Sequence, residues 1–256
     1  MRAALPMYDR PELRGATDRF WTAIAERLHA LGIEAPPALE GPGDLWSLWR
    51  SPDLLLAQTC GLPYRAVLHG KVALVGTPDY ALPGCPPGYY GSVIVVRAGE
   101  SGIPSRYAGA RLAYNEPLSQ SGWAAPIAWA GPRGLNFGPL VQTGSHLASA
   151  RAVEAGEADI AAIDAVTWRL LKRYDTVASG LREIAFTEPT PGLPLITAAA
   201  RDPRPIASAV AAAIATLPRA DATALGIAGL VPIPAEAYLG QSTPPSPEVY
   251  AETLGA

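Results

Sequence analysis

Two clusters of chain-breaking residues constrain this sequence more than anything else in it. Pro83-Gly84-Cys85-Pro86-Pro87-Gly88 and Glu188-Pro189-Thr190-Pro191-Gly192-Leu193-Pro194 cannot continue a helix or a central strand, because proline lacks a backbone donor and glycine weakens either element. They flank a block in which strand-like and helix-like segments alternate. A chain that leaves one domain, builds a second and returns needs two such crossings. The division read from them is one domain of residues 1 to 86 plus 187 to 256, and another of residues 87 to 186. Strands alternating with helices predict an α/β architecture in which each domain is a mostly parallel sheet flanked by helices.

Local patterns fill in the elements. Asp9-Arg10-Pro11-Glu12 reads as a capping-box start with proline in the first turn. Leu13, Phe20, Ile24, Leu28 and Leu31 follow at helical spacing, and Gly32 ends the helix. Asp44 to Trp49 reads as a short second helix. The continuous apolar run Asp53-Leu54-Leu55-Leu56-Ala57-Gln58-Thr59 fits a strand buried on both faces. Lys71 to Pro78 and Ser92 to Arg97 are further strands, and Ala207 to Leu217 is an alanine-rich helix.

Composition excludes several classes of function. The 256 residues carry 20 basic and 23 acidic side chains, net charge −3, with no run of one sign, so neither a nucleic-acid surface nor an acidic tail is present and any anion site is local. The two cysteines, Cys60 and Cys85, form no metal-ligand cluster and are read as two thiols rather than a disulfide. No glycine-rich nucleotide loop occurs, and Gly91-Ser92-Val93 lacks the second glycine of a nucleophile elbow. No cofactor or metal is therefore expected. Met1 to Tyr8 runs straight into a first core strand with no apolar segment of secretory length. As written, the chain is expected to be cytoplasmic if it is full length, or to have had a signal peptide removed or mis-assigned.

The chemistry is concentrated in two helix starts. Leu112 to Pro126 reads as a short strand, a turn and a helix capped by Ser119 or Ser121. The first helical turn leaves backbone N–H groups unpaired beside the positive end of the helix dipole, which makes it a receptor for an anion. Gln142-Thr143-Gly144-Ser145-His146 opens a second helix, and Asp159-Ile160-Ala161-Ala162-Ile163-Asp164 is the strand after it.

These stretches, in this order, resemble the phosphate, phosphite and phosphonate substrate-binding proteins of ABC transporters, a branch of the type 2 periplasmic binding proteins. Ser119-Gln120-Ser121-Gly122 is similar to the family's Ser-x-Ser-Gly anion loop, Gly144-Ser145-His146 to its Gly-x-His helix start, and Asp159 to Asp164 to its Asp-hydrophobic-Ala-Ala strand. The resemblance extends from Leu5-Pro6-Met7-Tyr8 to the C-terminal helices. It implies a two-lobed fold with a cleft between the lobes, and a non-catalytic monomer that closes on a small phosphorus oxyanion for an ABC-type permease. It also implies a periplasmic location. Two rivals stand beside this reading: a cytoplasmic enzyme on the same scaffold acting on a small carboxylate, similar to chorismate dehydratase, and a ligand-sensing module.

Within that architecture the candidate ligand residues sort by position. Ser119, Gln120, Ser121 and Gly122 supply hydroxyl and N–H donors without Lys or Arg. Ser145 and His146 open the next helix, where His146 is placed to donate to a phosphoryl oxygen, carrying charge if the anion raises its pKa; a capping or core-edge histidine is the alternative. From the first domain, Tyr8, Thr59 and Tyr64 follow strand ends, with hydroxyls that either close over the anion or bond their own backbone. Asp164 either takes an amino or hydroxyl group at the ligand's far end or caps the helix from Val166. With Glu116 the one further carboxylate candidate, the several acids typical of aminophosphonate binders are missing. Phosphate, phosphite, a small phosphonate or another small anion remains. Trp123, Trp129 and Trp168 are read as core rather than stacking platforms, with Trp168 the best exception.

Overall fold

In the computed structural model, which describes residues 1–254, the apolar run becomes strand β2 (Leu54–Gln58), buried at every position. It lies between β1 (Arg2–Ala4), which it pairs in parallel, and β11 (Leu195–Ala198), which runs antiparallel to it. The sheet continues to β3 (Val72–Asp79) and β12 (Gly229–Val231) in the order β1-β2-β11-β3-β12. β11 is antiparallel to β3, and so is β12. The sheet is thus mixed, which corrects the expected mostly parallel arrangement. The chain enters β11 directly from the returning proline-glycine crossing, and an antiparallel neighbour needs no helical crossover.

Helices cover this sheet with apolar stripes. Phe20, Trp21, Ile24 and Leu28 of α1 (Arg14–Ala30) pack with Leu55, Leu56 and with Ile206 and Val210 of α7 (Pro203–Ala215). A second cluster joins Leu54 and Ala57 to Leu48 and Trp49 of α2 (Leu45–Trp49), and to Tyr64 and Tyr238. Tyr64 opens a π-helical turn after α3 (Gly61–Pro63), and Tyr238 lies on α9 (Ala235–Leu239). Arg19 grips Asp221 of α8 (Arg219–Leu225) with two bonds of 2.8 and 2.6 Å. The capping box expected at Asp9 does not form. A turn occupies residues 11–13, Glu12 pairs with Arg10 instead, and α1 begins only at Arg14 with no side-chain cap. Gly32 does end the helix, at a φ of +74° that a β-carbon would oppose.

The second sheet has the order β7-β6-β8-β5-β9. β6 (Leu112–Tyr114) is parallel to β7 (Leu140–Gln142) and to β8 (Ile160–Asp164), while β5 (Ser92–Arg97) is antiparallel to β8 and β9 (Leu181–Phe186). Its helices are α4 (Ala125–Ala130), α5 (His146–Ala155), α6 (Ala165–Tyr174) and α10 (Pro247–Leu254). β4 (Tyr89–Tyr90) and β10 (Thr190–Pro191) form the two-stranded ribbon at which the chain passes between sheets. The compact units are Met1–Tyr89 with Pro191–Gly240, and Tyr90–Thr190 with the chain from Gln241 onward. Residues after Gly240 were expected in the first unit. They belong to the second because the Trp123 indole N–H donates to the Pro245 carbonyl (3.0 Å) and the Phe137 N–H donates to the Tyr250 hydroxyl (3.0 Å).

One ion pair fastens the entrance of β6 to that of β8. The Arg111 guanidinium donates to both oxygens of Asp159 (3.0 and 2.8 Å), the Arg111 backbone N–H adds a third bond (3.0 Å), and Arg97 a fourth. Those hydrogen bonds, the Arg111 side chain foremost, hold the Asp159 carboxyl down at about 2. A folded-state pKa below the unfolded one contributes stability that is present above the ordinary carboxylate range and lost as pH falls toward 2. The stability gap between wild type and Asp159→Asn, read from urea midpoints, should therefore narrow between about pH 4 and pH 2. A constant gap would remove the ion pair as its cause.

Candidate functional site

β6 ends at Tyr114, and the chain turns into a π-helical turn, Gln120–Ala124, that continues as α4. Ser119 is the cap: its Oγ accepts from the Gly122 N–H at 2.9 Å. Ser119, Gln120 and Ser121 are all buried. Wide π turns are concentrated at functional positions, and nothing in the residue pattern announced this one. The cap should behave as a structural bond. Ser119→Ala is expected to lower folding stability by about 1 kcal/mol, as chemical denaturation would show.

The second helix start is built alike. Gly144, at φ +81°, lets the chain reach Ser145, whose Oγ caps α5 by accepting from the Ala148 N–H at 3.1 Å. The two starts are tied together by the strand ends beneath them. Tyr114 O accepts from the Thr143 N–H (2.9 Å) and hydroxyl (3.1 Å), and Asn115 O accepts from the Gly144 N–H (2.9 Å). Above these bonds the Ser121 Oγ and His146 Nε2 lie 2.8 Å apart. Gly122 sits between: a β-carbon there would fall 1.9 Å from Asn115 Oδ1 and 3.3 Å from His146 Cε1.

Charge is absent from this cluster. Burial pulls the His146 imidazole down to about 4, and the Ala162 backbone carbonyl opposes the shift only partly. In the ligand-free protein the imidazole is therefore neutral at pH 7, and the charge expected above belongs to the anion-bound state. Asp164 is the N-cap of α6, its Oδ1 accepting from the Val166 (2.7 Å) and Thr167 (2.9 Å) N–H groups. Trp168 is buried with its indole N–H on Glu183 (2.6 Å), as a core residue. Asn115, which ties both loops, was missed by sequence reasoning; its place directly after a strand and before a turn was the available signal.

In the first unit the expected residues separate. Tyr8 ends a 3-10 turn after β1 and meets Tyr80 edge-on at 5.0 Å. Tyr8, Gln58 and Tyr80 line a cavity of about 50 Å³ whose remaining wall is mostly apolar, including Leu13, Phe20 and Leu195. Gln58 donates to the Tyr80 hydroxyl (3.1 Å) and was not foreseen. Thr59 is fully buried, its N–H on the Pro194 carbonyl and its Oγ1 without a hydrogen bond. Tyr64 is a correction: it is a core residue, stacked edge-on against Tyr238 at 5.2 Å, and burial raises its phenol pKa. Cys60 and Cys85 are not disulfide-bonded. Among the described residues no group of acids, histidines and cysteines suits a metal ion, and no helix is long and apolar enough to cross a membrane.

Two mixed five-stranded sheets with helices opening at strand ends make an α/β fold, and solved periplasmic-binding-protein-like structures share it. PhnD1 from Prochlorococcus marinus (MIT 9301), in complex with methylphosphonate, is 15% identical with a TM-score of 0.71 over 99% of this chain and 98% of its own. XAC2383 from Xanthomonas citri, bound to ATP, is 15% identical with a TM-score of 0.70 over 100% and 97%. A binding protein component of an ABC phosphonate transporter (PA3383) from Pseudomonas aeruginosa is 14% identical, with a TM-score of 0.56 over 79% and 69%. At these identities the likeness shows the fold. A search of the curated proteins found no match. The family model described as "ABC transporter, phosphonate, periplasmic substrate-binding protein" matches residues 56–238, and the chain belongs to that family. It is a family of periplasmic binding proteins, not of enzymes.

Proposed function

We propose that this protein is the solute-binding component of an ABC-type uptake system and takes a small phosphorus oxyanion, namely phosphate, phosphite or a small phosphonate, at the helix starts of residues 119–122 and 145–146. One observation carries the reading. Two capped helix starts are joined at Ser121 and His146, 2.8 Å apart, so first-turn N–H groups and side-chain polar atoms converge. The methylphosphonate bound by the similar PhnD1 supports the ligand class. The engagement of Asp164 as a helix cap speaks against an aminoalkyl ligand, which needs carboxylates for its ammonium.

Calorimetric titration with methylphosphonate, phosphite and phosphate tests this. At least one should bind, and at 100 times its Kd should stabilise the fold by about 2.7 kcal/mol. Ser121→Ala should weaken that binding about tenfold to a hundredfold, the range for one hydrogen bond to a charged ligand, without the stability loss expected of Ser119→Ala. Binding confined to small carboxylates, with product formed, would replace this reading by the enzyme.

A further inference from the structure

We infer that the first unit holds a binding site of its own: the cavity lined by Tyr8, Gln58 and Tyr80 takes a short uncharged alkyl group that carries a hydroxyl, and the hydroxyl donates to the Gln58 side-chain carbonyl. The site belongs to the first unit alone and stands apart from the phosphorus-oxyanion reading.

Gln58 is the only polar side chain of β2 and is 3% exposed. An amide enclosed so deeply destabilises the fold unless its atoms are bonded. Half of it is bonded. Its Nε2 donates to the Tyr80 hydroxyl (3.1 Å) and to the Leu193 backbone carbonyl (3.3 Å). A carbonyl only accepts, so the second of these bonds fixes which end of the amide is nitrogen and which is oxygen. With both N–H groups engaged, Oε1 is the atom that remains, and no donor among the described residues reaches it. The group that completes it must therefore be a donor.

The cavity sets the rest of the ligand. Its volume is about 50 Å³, and one water-sized atom needs about 10–15 Å³, which gives room for about three or four heavy atoms. Leu13, Phe20 and Leu195 form a buried apolar wall, and the Tyr8 and Tyr80 rings meet edge-on at 5.0 Å beside it. No Asp, Glu, Lys, Arg or His lines the cavity. A phosphoryl group or an ammonium would lose its hydration there with no opposite charge in return. An uncharged hydroxyl on two or three carbons meets both demands, because its carbons face the leucines and its O–H faces Oε1. Gln58 is also the last residue of its strand, the position from which α/β sheets present ligand contacts.

Leucine-methyl NMR on the intact protein tests the assignment. 1-Propanol, with three carbons and a hydroxyl, should shift the Leu13 and Leu195 methyls and saturate with a Kd of about a millimolar, the scale for four heavy atoms. Methoxyethane, its isomer without the donor, should bind about tenfold more weakly, the effect of one neutral hydrogen bond. Gln58→Met should remove that preference. Leu225→Phe, which adds bulk to the cavity wall without touching the amide, should abolish binding of both, with circular dichroism checking the fold of each variant. A second arm reads what carries the group. As a substituent of the phosphorus ligand, it makes 2-hydroxyethylphosphonate displace 1-propanol and bind more tightly than propylphosphonate; as part of a separate molecule, it leaves 1-propanol titrating alike with and without saturating 2-hydroxyethylphosphonate. Methyls that stay in place up to about a hundredfold above the expected Kd, or an ether that binds wild type as tightly as the alcohol does, overturn the inference and leave the phosphorus-oxyanion reading intact. Failure of every phosphorus ligand overturns that reading and leaves the 1-propanol site standing.

Discussion

Trp123→Ala lowers the free energy of unfolding by about 3–5 kcal/mol, the range for truncating a large buried aromatic side chain. Trp123 is 1% exposed, directly follows the Gly122 of the helix start, and leans on the Tyr114 ring at 5.3 Å and on Tyr250 of α10 at 5.5 Å. Its indole N–H also holds the Pro245 carbonyl. Truncation opens a cavity and removes that bond at the same time, so the C-terminal segment loses its main anchor in the second unit. Chemical denaturation should show the midpoint falling with little change in slope. Hydrogen exchange in Pro247–Leu254 should accelerate more than in β5. Equal acceleration in both would mean that the indole supports the whole unit evenly rather than tethering α10.

Gly122→Ala is the second large effect, and it falls on function more than on stability. The added carbon would sit 1.9 Å from Asn115 Oδ1 and 2.9 Å from Asn115 Cγ, closer than any non-bonded carbon tolerates. Asn115 or the helix start must move. Overpacking of this kind costs about 1–3 kcal/mol, and misplacing every donor of the helix start together should weaken methylphosphonate binding by about a hundredfold. The double variant Gly122→Ala, Asn115→Ala should recover most of the lost stability, because the two positions share one contact and their effects do not add. A single variant as stable and as tight-binding as wild type would show that the Asn115 side chain swings away freely.

What was legible in advance follows the range of the interactions involved. The cap at Ser119 is a bond three residues long, the stop at Gly32 depends on one residue's dihedral angle, and β2 is buried because its four consecutive apolar residues, Leu54 to Ala57, leave no polar face. Each is settled within one turn or one strand, so the residue pattern alone determined the α/β alternation, both helix starts and the proline-glycine crossings. Even there a local rule failed at Asp9, where the pairing of Arg10 with Glu12 accompanied a later helix start.

Only the tertiary structure decided the rest. The direction of β11 depends on partners at Gln58 and Gly76, more than a hundred residues away, and the place of the C-terminal helix depends on Trp123 meeting Pro245 and Tyr250. The neutrality of His146 comes from the walls around it, chiefly burial, which no helical or strand period encodes. Tyr64 looked like a strand-end hydroxyl until Tyr238, 174 positions later, closed over it. Periodicity and capping are properties of neighbours in the chain. Burial, sheet direction and protonation are set by neighbours in space, and the chain names those only once it has folded.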